Sequence, residues 1–178
     1  KNMNLGLKGK VVLVTGAAGI KGSIGETIVQ HLVAEGAIPA IIDRNDRGFG
    51  YVEEIQEKGI DAIFCKTDVT NPKQVENAVA TIAKKYGRID AIINNVGVND
   101  GVGLDASYED FMWSLKLNMV SYFLVVKHAL PYLKESKGNI LNIGSKVGLT
   151  GQGGTSGYAA SKGAVLGLTR EWAVDLIK

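Results

Sequence analysis

Short apolar runs alternate along the chain with longer stretches whose apolar residues recur at helical spacing. The first run, 11–15 (V-V-L-V-T), is β-branched and is followed by a glycine, which predicts a buried strand. Residues 24–35 follow with apolar positions three and four apart and end at Gly36, which predicts a helix. The same alternation predicts strands at 38–43, 61–66, 89–94 and 139–143, and helices at 47–58, 72–86, 108–134 and from 158 to the C-terminus.

This alternation indicates the fold class. Strands that are apolar on both faces and alternate with helices form a parallel sheet with right-handed crossovers. We therefore predict an α/β protein with a doubly wound, Rossmann-like parallel sheet. No repeat, linker or low-complexity segment interrupts the 178 residues, so residues 1–178 are predicted to form a single domain.

Composition and charge exclude several classes of function. The 20 basic and 18 acidic residues leave a net charge of +2 without a long run of either sign, so no nucleic-acid partner is expected. Charged residues and proline interrupt the apolar stretches well short of a membrane span. No metal site is predicted. The single cysteine, Cys65, cannot form an internal disulfide, and residues 1–5 do not resemble a secretory signal, so the cytoplasm is the expected compartment.

A glycine-rich stretch lies directly after the first strand. Residues 15–25 have the sequence T-G-A-A-G-I-K-G-S-I-G. Glycines let the backbone approach a pyrophosphate, and the following helix offers unpaired N–H groups and the positive end of its dipole. A purely steric glycine turn is the alternative, but the position after the first strand favours phosphate binding. We predict dinucleotide contacts at Gly16, Ser23, Ile24 and Gly25.

Asp43 ends the second strand, eighteen residues after Gly25. A carboxylate there can accept hydrogen bonds from the adenosine ribose and would repel a 2′-phosphate, which favours NAD. The alternative is turn chemistry, because Asp-Arg-Asn-Asp is a good turn sequence. Lys21 or Arg44 could reach a 2′-phosphate, so NADP stays open as the cofactor.

Two further loops end strands at the same predicted edge. Asp68 and Val69 follow the third strand and are predicted to border the adenine, although Asp68 could equally be the N-cap of the helix at 72. After the fourth strand comes N-N-V-G, 94–97. Adjacent amides followed by glycine suit a loop that borders a dinucleotide and links neighbouring strands, so Asn95 and Gly97 are predicted to bind the cofactor.

The chemistry is predicted to lie in the last third of the chain. Ser145 follows the fifth strand, and Y-A-A-S-K, 158–162, begins the last helix. The i,i+4 spacing puts Tyr158 and Lys162 on one face of that helix. A free tyrosine ionises near pH ~10, and a neighbouring ammonium favours the phenolate and so makes a base available at neutral pH. Ser145 could hold the substrate oxygen, and Lys162 could also donate to the nicotinamide ribose.

Taken together, these motifs resemble those of the short-chain dehydrogenases/reductases. The resemblance covers essentially all of the chain. It rests on T-G with Gly25, on Asp68, N-N-V-G, Asn118, Ser145 and Y-A-A-S-K. It implies NAD(P)-dependent oxidation of an alcohol or reduction of a carbonyl, with a catalytic tetrad of Asn118, Ser145, Tyr158 and Lys162. In that family the Asn helps to hold a water that links the Lys to a proton relay.

The chain departs from this family at three places. The glycine loop is three residues longer than usual and has Ser23 where the middle glycine normally lies, so cofactor contacts at Gly19 and Gly22 are less secure than those at Gly16 and Gly25. Val96 replaces the usual alanine. Family members also continue beyond the position of Lys178 through further strands and a substrate-covering segment, so we expect the domain to be incomplete at its C-terminus.

Substrate residues are predicted from the polar, glycine-rich rim that these loops form. Asn99, Asp100, Lys146 and Gln152 suit a polyol or sugar. The stretches 94–103, 145–146 and 150–172 resemble those of bacterial L-fucose dehydrogenases and related sugar dehydrogenases. An NADPH-dependent 3-oxoacyl-carrier-protein reductase is the alternative enzyme, and a non-catalytic dinucleotide sensor is the alternative from another class. Because family members pair the helices at 108–134 and 158–178 between subunits, a homodimer or homotetramer is expected.

Overall fold

Five short apolar segments form one parallel sheet. The computed structural model describes residues 4–177. Its strands lie in the order β3-β2-β1-β4-β5, so the strand order reverses at β1. Their bounds are β1 Val11–Thr15, β2 Ile38–Asp43, β3 Ile63–Lys66, β4 Ala91–Asn94 and β5 Asn139–Asn142. In open sheets of this kind, ligands bind beyond the carboxyl ends of the strands at the point of reversal.

Within residues 4–177, seven α-helices connect or follow the strands, and a π-helical turn joins two of them. The bounds are α1 Ile24–Ala34, α2 Arg47–Gln56, α3 Pro72–Tyr86, α4 Tyr108–Leu115, the π turn Lys116–Val120, α5 Ser121–Ser136, α6 Val147–Thr150 and α7 Ser156–Asp175. Side chains of Ser23, Asn71 and Ser107 accept backbone N–H groups at the starts of α1, α3 and α4. Such caps satisfy donors that have no partner within the helix.

The described residues form two compact units. Unit 1 comprises 4–96 and 124–141, and its core is the completely buried strand β1 with its neighbour β2, on which α1 packs. Unit 2 comprises 97–123 and 142–177. In unit 2, α7 packs against α4, the π turn and α6. The unit 1 core is built from β-branched and small side chains, as expected of strands covered on both faces.

The predicted fold class is confirmed, and several predicted bounds are corrected. β3 begins at Ile63 rather than at 61, and β4 begins at Ala91 rather than at 89. The predicted helix at 108–134 contains the π turn, and α6 was not predicted. None of the helices within residues 4–177 reaches the length and apolarity of a membrane-spanning segment. The assignment of residues 1–178 to one dinucleotide-binding domain stays a prediction.

Candidate active site

The loop between β1 and α1 is packed so closely that two of its glycines cannot be replaced without movement. Gly16 has a φ of +73°, and a Cβ there would lie 2.8 Å from Val96 Cγ2. A Cβ on Gly25 would lie 2.4 Å from the Gly16 carbonyl oxygen and 2.6 Å from Asn95 Nδ2. A side chain at either position would thus collide with the loop or with residues that follow β4, so the close approach of these segments requires glycine.

The start of α1 is the predicted phosphate site. Ser23 is the N-cap, and its hydroxyl accepts the Glu26 N–H at 3.3 Å. Ile24 is exposed, whereas Gly25 is buried. An exposed first turn at the positive end of a helix dipole fits an anionic group. The residues present therefore fit the diphosphate of a dinucleotide.

Asp43 is a buried carboxylate at the end of β2. Its Oδ2 accepts the Ala18 N–H at 2.9 Å and its Oδ1 accepts the Asn45 N–H at 3.0 Å. The alternative interpretation, in which Asp43 begins a turn, is therefore also present in the structure, because its carboxylate accepts a backbone N–H two residues on. Each carboxylate oxygen has a second lone-pair site, so these bonds are compatible with accepting a ribose hydroxyl as well. The cations Lys21 and Arg44 are both exposed.

An ion pair between the buried Glu26 and the half-buried Arg47, which sequence reasoning missed, holds the enlarged glycine loop. The Glu26 carboxylate accepts hydrogen bonds from the Gly22 N–H and from Arg47. Arg47 also donates to the Ala18 carbonyl at 3.3 Å. The hydrogen bond from the Gly22 N–H holds the pKa of Glu26 below its usual range. Burial acts against this shift, and Arg47 adds to it. The S-x-x-E spacing of Ser23 and Glu26 was an available signal, since it is the sequence of a capping box.

Asn95 links β4 to the glycine loop. Its Nδ2 donates to the Thr15 carbonyl at 3.0 Å and to the Gly16 carbonyl at 3.1 Å. Thr15 Oγ1 accepts the N–H groups of Asn95 and Val96 at 3.0 and 3.1 Å. The amide side chain therefore supports the glycine loop, and its contact with a cofactor stays a prediction.

For the loop after β3 the sequence left two roles open for Asp68, a contact with adenine or the N-cap of α3. Asn71 caps α3, accepting the N–H groups of Lys73 and Gln74, so the alternative in which Asp68 is the N-cap is wrong. Asp68 Oδ1 instead accepts the Thr70 N–H at 2.9 Å and the Thr70 hydroxyl at 2.7 Å. Val69 is buried. The contact of Asp68 and Val69 with adenine stays a prediction.

In unit 2, Tyr158 and Lys162 lie one turn apart on α7. Lys162 is buried, at 2% exposure, and its Nζ donates to the Ile143 carbonyl at 2.7 Å. The same Nζ lies 5.8 Å from the centroid of the half-buried Tyr158 ring. Burial lowers the pKa of Lys162 to about 8. Tyr158 and Lys162 therefore share one face of α7, as their i,i+4 spacing predicts.

Ser145 lies in the segment between β5 and α6, where it is half-buried. Its Oγ accepts the Val147 N–H at 3.2 Å. That bond fixes the hydroxyl oxygen without using its hydrogen, so the group can still donate to a substrate oxygen.

Asn118 occupies the π turn and is completely buried. Its Oδ1 accepts the Val98 N–H at 2.7 Å, and its Nδ2 donates to the Val98 carbonyl at 3.0 Å. A Cβ on Gly97 would lie 3.2 Å from Asn118 Oδ1 and 3.4 Å from Lys162 Nζ. The carboxamide therefore holds the loop that carries Gly97 beside Lys162. Insertions of this π type occur often at functional sites. The water-holding role of Asn118 stays a prediction.

The four predicted substrate residues, Asn99, Asp100, Lys146 and Gln152, are exposed residues of unit 2. Asp100 Oδ1 accepts the hydroxyl of the buried Ser114 at 3.2 Å. Among the hydrogen bonds found within residues 4–177, none joins two of the four. Sequence reasoning missed Ser114, whose hydroxyl also lies 3.4 Å from Asn118 Nδ2.

Comparison with known proteins gives the family. A model of the short chain dehydrogenase family matches residues 10–178. The chain therefore belongs to the short chain dehydrogenase family.

The relatives and solved structures agree with that assignment. L-fucose dehydrogenase of Oryctolagus cuniculus is 37% identical over 169 residues, which are 94% of this chain and 57% of the relative. The 3-oxoacyl-[acyl-carrier-protein] reductase FabG of Thermotoga maritima is 34% identical over 96% of this chain and 69% of the relative. The Cj0485 dehydrogenase crystal structure matches with a TM-score of 0.90 at 39% identity, over 97% of this chain and 65% of that one. The crystal structure of NAD+-bound xylitol dehydrogenase matches with a TM-score of 0.88 at 32% identity, over 96% of this chain and 66% of that one.

The chain thus spans about 57–60% of the length of the four L-fucose dehydrogenases that it matches. The predicted resemblance to L-fucose dehydrogenases is confirmed, although these four relatives are mammalian rather than bacterial.

Proposed function

We propose that the protein is an NAD(P)-dependent oxidoreductase that moves a hydride from a hydroxyl-bearing carbon, with Tyr158 as its base. The observation that supports this most is the position of the buried Lys162 ammonium, 5.8 Å from the Tyr158 ring centroid. Burying an ammonium is costly unless the group has partners, so its place beside the predicted base favours a chemical role over a structural one. The same pair argues against a non-catalytic dinucleotide sensor, which would not need it.

The proposed step balances one proton and one hydride. The substrate hydroxyl gives its proton to the Tyr158 oxygen, the hydrogen on the same carbon leaves with its electron pair, and a C=O bond forms. A bound NAD supplies the hydride acceptor in its nicotinamide ring. Ser145 donates to the substrate oxygen, and Lys162 stabilises the phenolate and donates to the nicotinamide ribose.

We propose NAD as the preferred cofactor. The buried carboxylate of Asp43 supports this, because a 2′-phosphate bound beside it would be repelled, and the exposed Arg44 and Lys21 would offset that repulsion only through solvent. The similar xylitol dehydrogenase structure is bound to NAD+, which is consistent with this preference.

For the substrate we propose an aldose such as L-fucose, oxidised at its anomeric carbon to the lactone. The named activity of the L-fucose dehydrogenase relatives supports this, as does the polar character of Asn99, Asp100, Lys146 and Gln152. A pocket built to bind hydroxyl groups rejects analogues that lack them, since its own polar groups would lose their partners. The Thermotoga relative supports the second candidate, reduction of a 3-oxoacyl thioester with NADPH.

Two measurements test these proposals. Tyr158→Phe removes only the phenolic oxygen, so NADH binding should persist while kcat falls by about 10²–10⁴. Near-normal kcat in this variant would exclude Tyr158 as the base. A steady-state panel of L-fucose, D-arabinose, L-galactose, D-glucose and a 3-oxoacyl thioester tests the substrate. Highest kcat/KM on the thioester with NADPH, and none on any aldose, would exclude the sugar proposal alone.

We further propose a homodimer or homotetramer that works in the cytoplasm. Several large apolar side chains of α4 and α7 are exposed, among them Tyr108 at 72%, Trp113 at 43% and Val174 at 64%. Large apolar side chains that stay exposed in one protomer are consistent with burial in an assembly. Sedimentation of the full-length protein as a monomer at micromolar concentration would contradict this.

A further inference from the structure

A second tyrosine contacts Lys162, the lysine of the predicted tetrad. Tyr122 lies in the first turn of α5, directly after the π turn, and is 1% exposed. Lys162 Nζ donates to the Tyr122 hydroxyl at 3.0 Å, and its distance to the Tyr122 ring centroid is 5.1 Å. The Tyr122 hydroxyl itself lies 3.3 Å from the Ile143 carbonyl, which also accepts Lys162 at 2.7 Å. The ammonium, the phenol and the carbonyl therefore form a closed triangle of hydrogen bonds.

The direction of these hydrogen bonds follows from the protonation states. Burial raises the pKa of Tyr122 well above its ordinary value, and charge on Tyr158 raises it further. Tyr122 is therefore a neutral phenol near neutral pH. An ammonium can only donate, so the Tyr122 oxygen accepts from Lys162 and its hydrogen goes to the Ile143 carbonyl. Tyr122 cannot replace Tyr158 as a base.

We propose that Tyr122 is a positioning residue for Lys162, holding the ammonium in the orientation in which it serves both the Tyr158 oxygen and the cofactor ribose. This inference rests on the proposed oxidoreductase function. A lysine ammonium has three N–H groups in a fixed tetrahedral arrangement. When the Tyr122 oxygen and the Ile143 carbonyl engage two of them, the direction of the third is determined. With the carbonyl alone, the group could rotate about that single hydrogen bond.

The effect of removing the Tyr122 hydroxyl can be estimated. Among the residues that the structure describes, the titratable side chains found facing the ammonium are Tyr122, from α5, and Tyr158, from α7. Losing an acceptor for a buried charged donor should weaken NADH binding about tenfold. The ammonium would also lose its proton more readily, so the alkaline limb of the pH profile of kcat/KM should move about one pH unit lower.

The test uses the full-length protein with Tyr122→Phe, which keeps the ring and so leaves the packing of α5 in place. NADH affinity is measured by fluorescence titration without an alcohol substrate, and thermal unfolding is recorded beside it. Tyr86→Phe is the matched control, because Tyr86 is half-buried at the end of α3 with its ring centroid 4.8 Å from another ammonium, Lys85 Nζ. The control should bind NADH as the unsubstituted protein does.

A double-mutant cycle separates positioning from general destabilisation. If Tyr122 acts through Lys162, then Tyr122→Phe should change NADH affinity less than about twofold in a Lys162→Met background. The same tenfold loss in that background would overturn the proposal, as would wild-type NADH affinity and an unshifted pH profile for Tyr122→Phe alone. The proposed function would be refuted by a different result, near-normal turnover in Tyr158→Phe. The outcomes that refute the two proposals can therefore be told apart.

Discussion

Gly25→Ala should destabilise the protein and loosen its glycine loop. The added methyl would lie 2.4 Å from the Gly16 carbonyl oxygen and 2.9 Å from Ala17 Cα, and both of these are backbone atoms. It would also lie 2.6 Å from Asn95 Nδ2, whose hydrogen bonds join the loop to β4. Backbone cannot rotate aside as a flexible side chain can, so the start of α1 or the loop must move.

Two opposing effects decide whether Gly25→Ala lowers or raises the free energy of unfolding. Forcing a methyl into a packed region costs about 1–3 kcal/mol. Alanine is the better helix former, but this returns at most about 1 kcal/mol and less in a first turn. The net loss should therefore be about 1–2 kcal/mol, which corresponds to a fall in Tm of roughly 2–8 °C for a chain of this size. NADH affinity should fall as well, because the displaced atoms belong to the predicted phosphate loop.

Thermal unfolding followed by circular dichroism measures this, and α2 provides a matched control. Gly50 is also a helical glycine of unit 1, but it is exposed and a Cβ there would meet nothing within 4 Å. Gly50→Ala should raise stability by about 0.5–1 kcal/mol, since alanine loses less conformational entropy. The same chemical change should thus have opposite signs at the two positions. Equal shifts in Tm would refute the steric reasoning.

Two further predictions concern carboxylates. Asp43→Ser should narrow the preference of kcat/KM for NAD over NADP, because the repulsion is removed while Arg44 remains; equal efficiency with both cofactors before substitution would show that Arg44 and Lys21 outweigh Asp43. Burial raises the pKa of Asp90, but its hydrogen bonds from Arg88 and a backbone N–H outweigh burial and hold that pKa below its usual range. Such a group stabilises the fold above its unfolded pKa of about 3.9 and loses this effect as pH falls through its native pKa. At pH 7 the Asp90→Asn variant should therefore unfold at a lower urea concentration than the unsubstituted protein. This difference in urea midpoint should shrink toward pH 3, and a difference that stays constant with pH would contradict the reasoning.

The bounds of β1, β2 and α3 agree with the sequence prediction because their signals are local. β-branched runs followed by glycine or a turn, and a proline in the first helical turn, need no distant partner to be interpreted. The starts of β3 and β4 were wrong for a tertiary reason. The Ala62 carbonyl accepts the side chains of Gln56 and Lys85, and the Asp90 carboxylate accepts the Val11 N–H. Hydrogen bonds that involve side chains thus form at the predicted strand starts, and two of them join residues more than 20 positions apart.

The same distinction applies to the candidate site. Spacing alone predicted that Tyr158 and Lys162 share a helix face, since an i,i+4 relation is fixed by helix geometry. It could not predict that Asn118 would bind the Val98 backbone or that Tyr122, forty positions away, would contact Lys162. A π turn carries no composition signal, and it changes which side chains of the following helix face inward. Those contacts depend on tertiary approach, which no pattern within one segment encodes.

Burial separates the roles of the two tyrosines that face Lys162. Tyr122 is 1% exposed and its pKa is raised, and its hydroxyl accepts from the Lys162 ammonium and donates to the Ile143 carbonyl. Tyr158 is half-buried and therefore accessible to a substrate. Of the two phenols beside Lys162, only the accessible one can meet a substrate, which is why we propose Tyr158 rather than Tyr122 as the base.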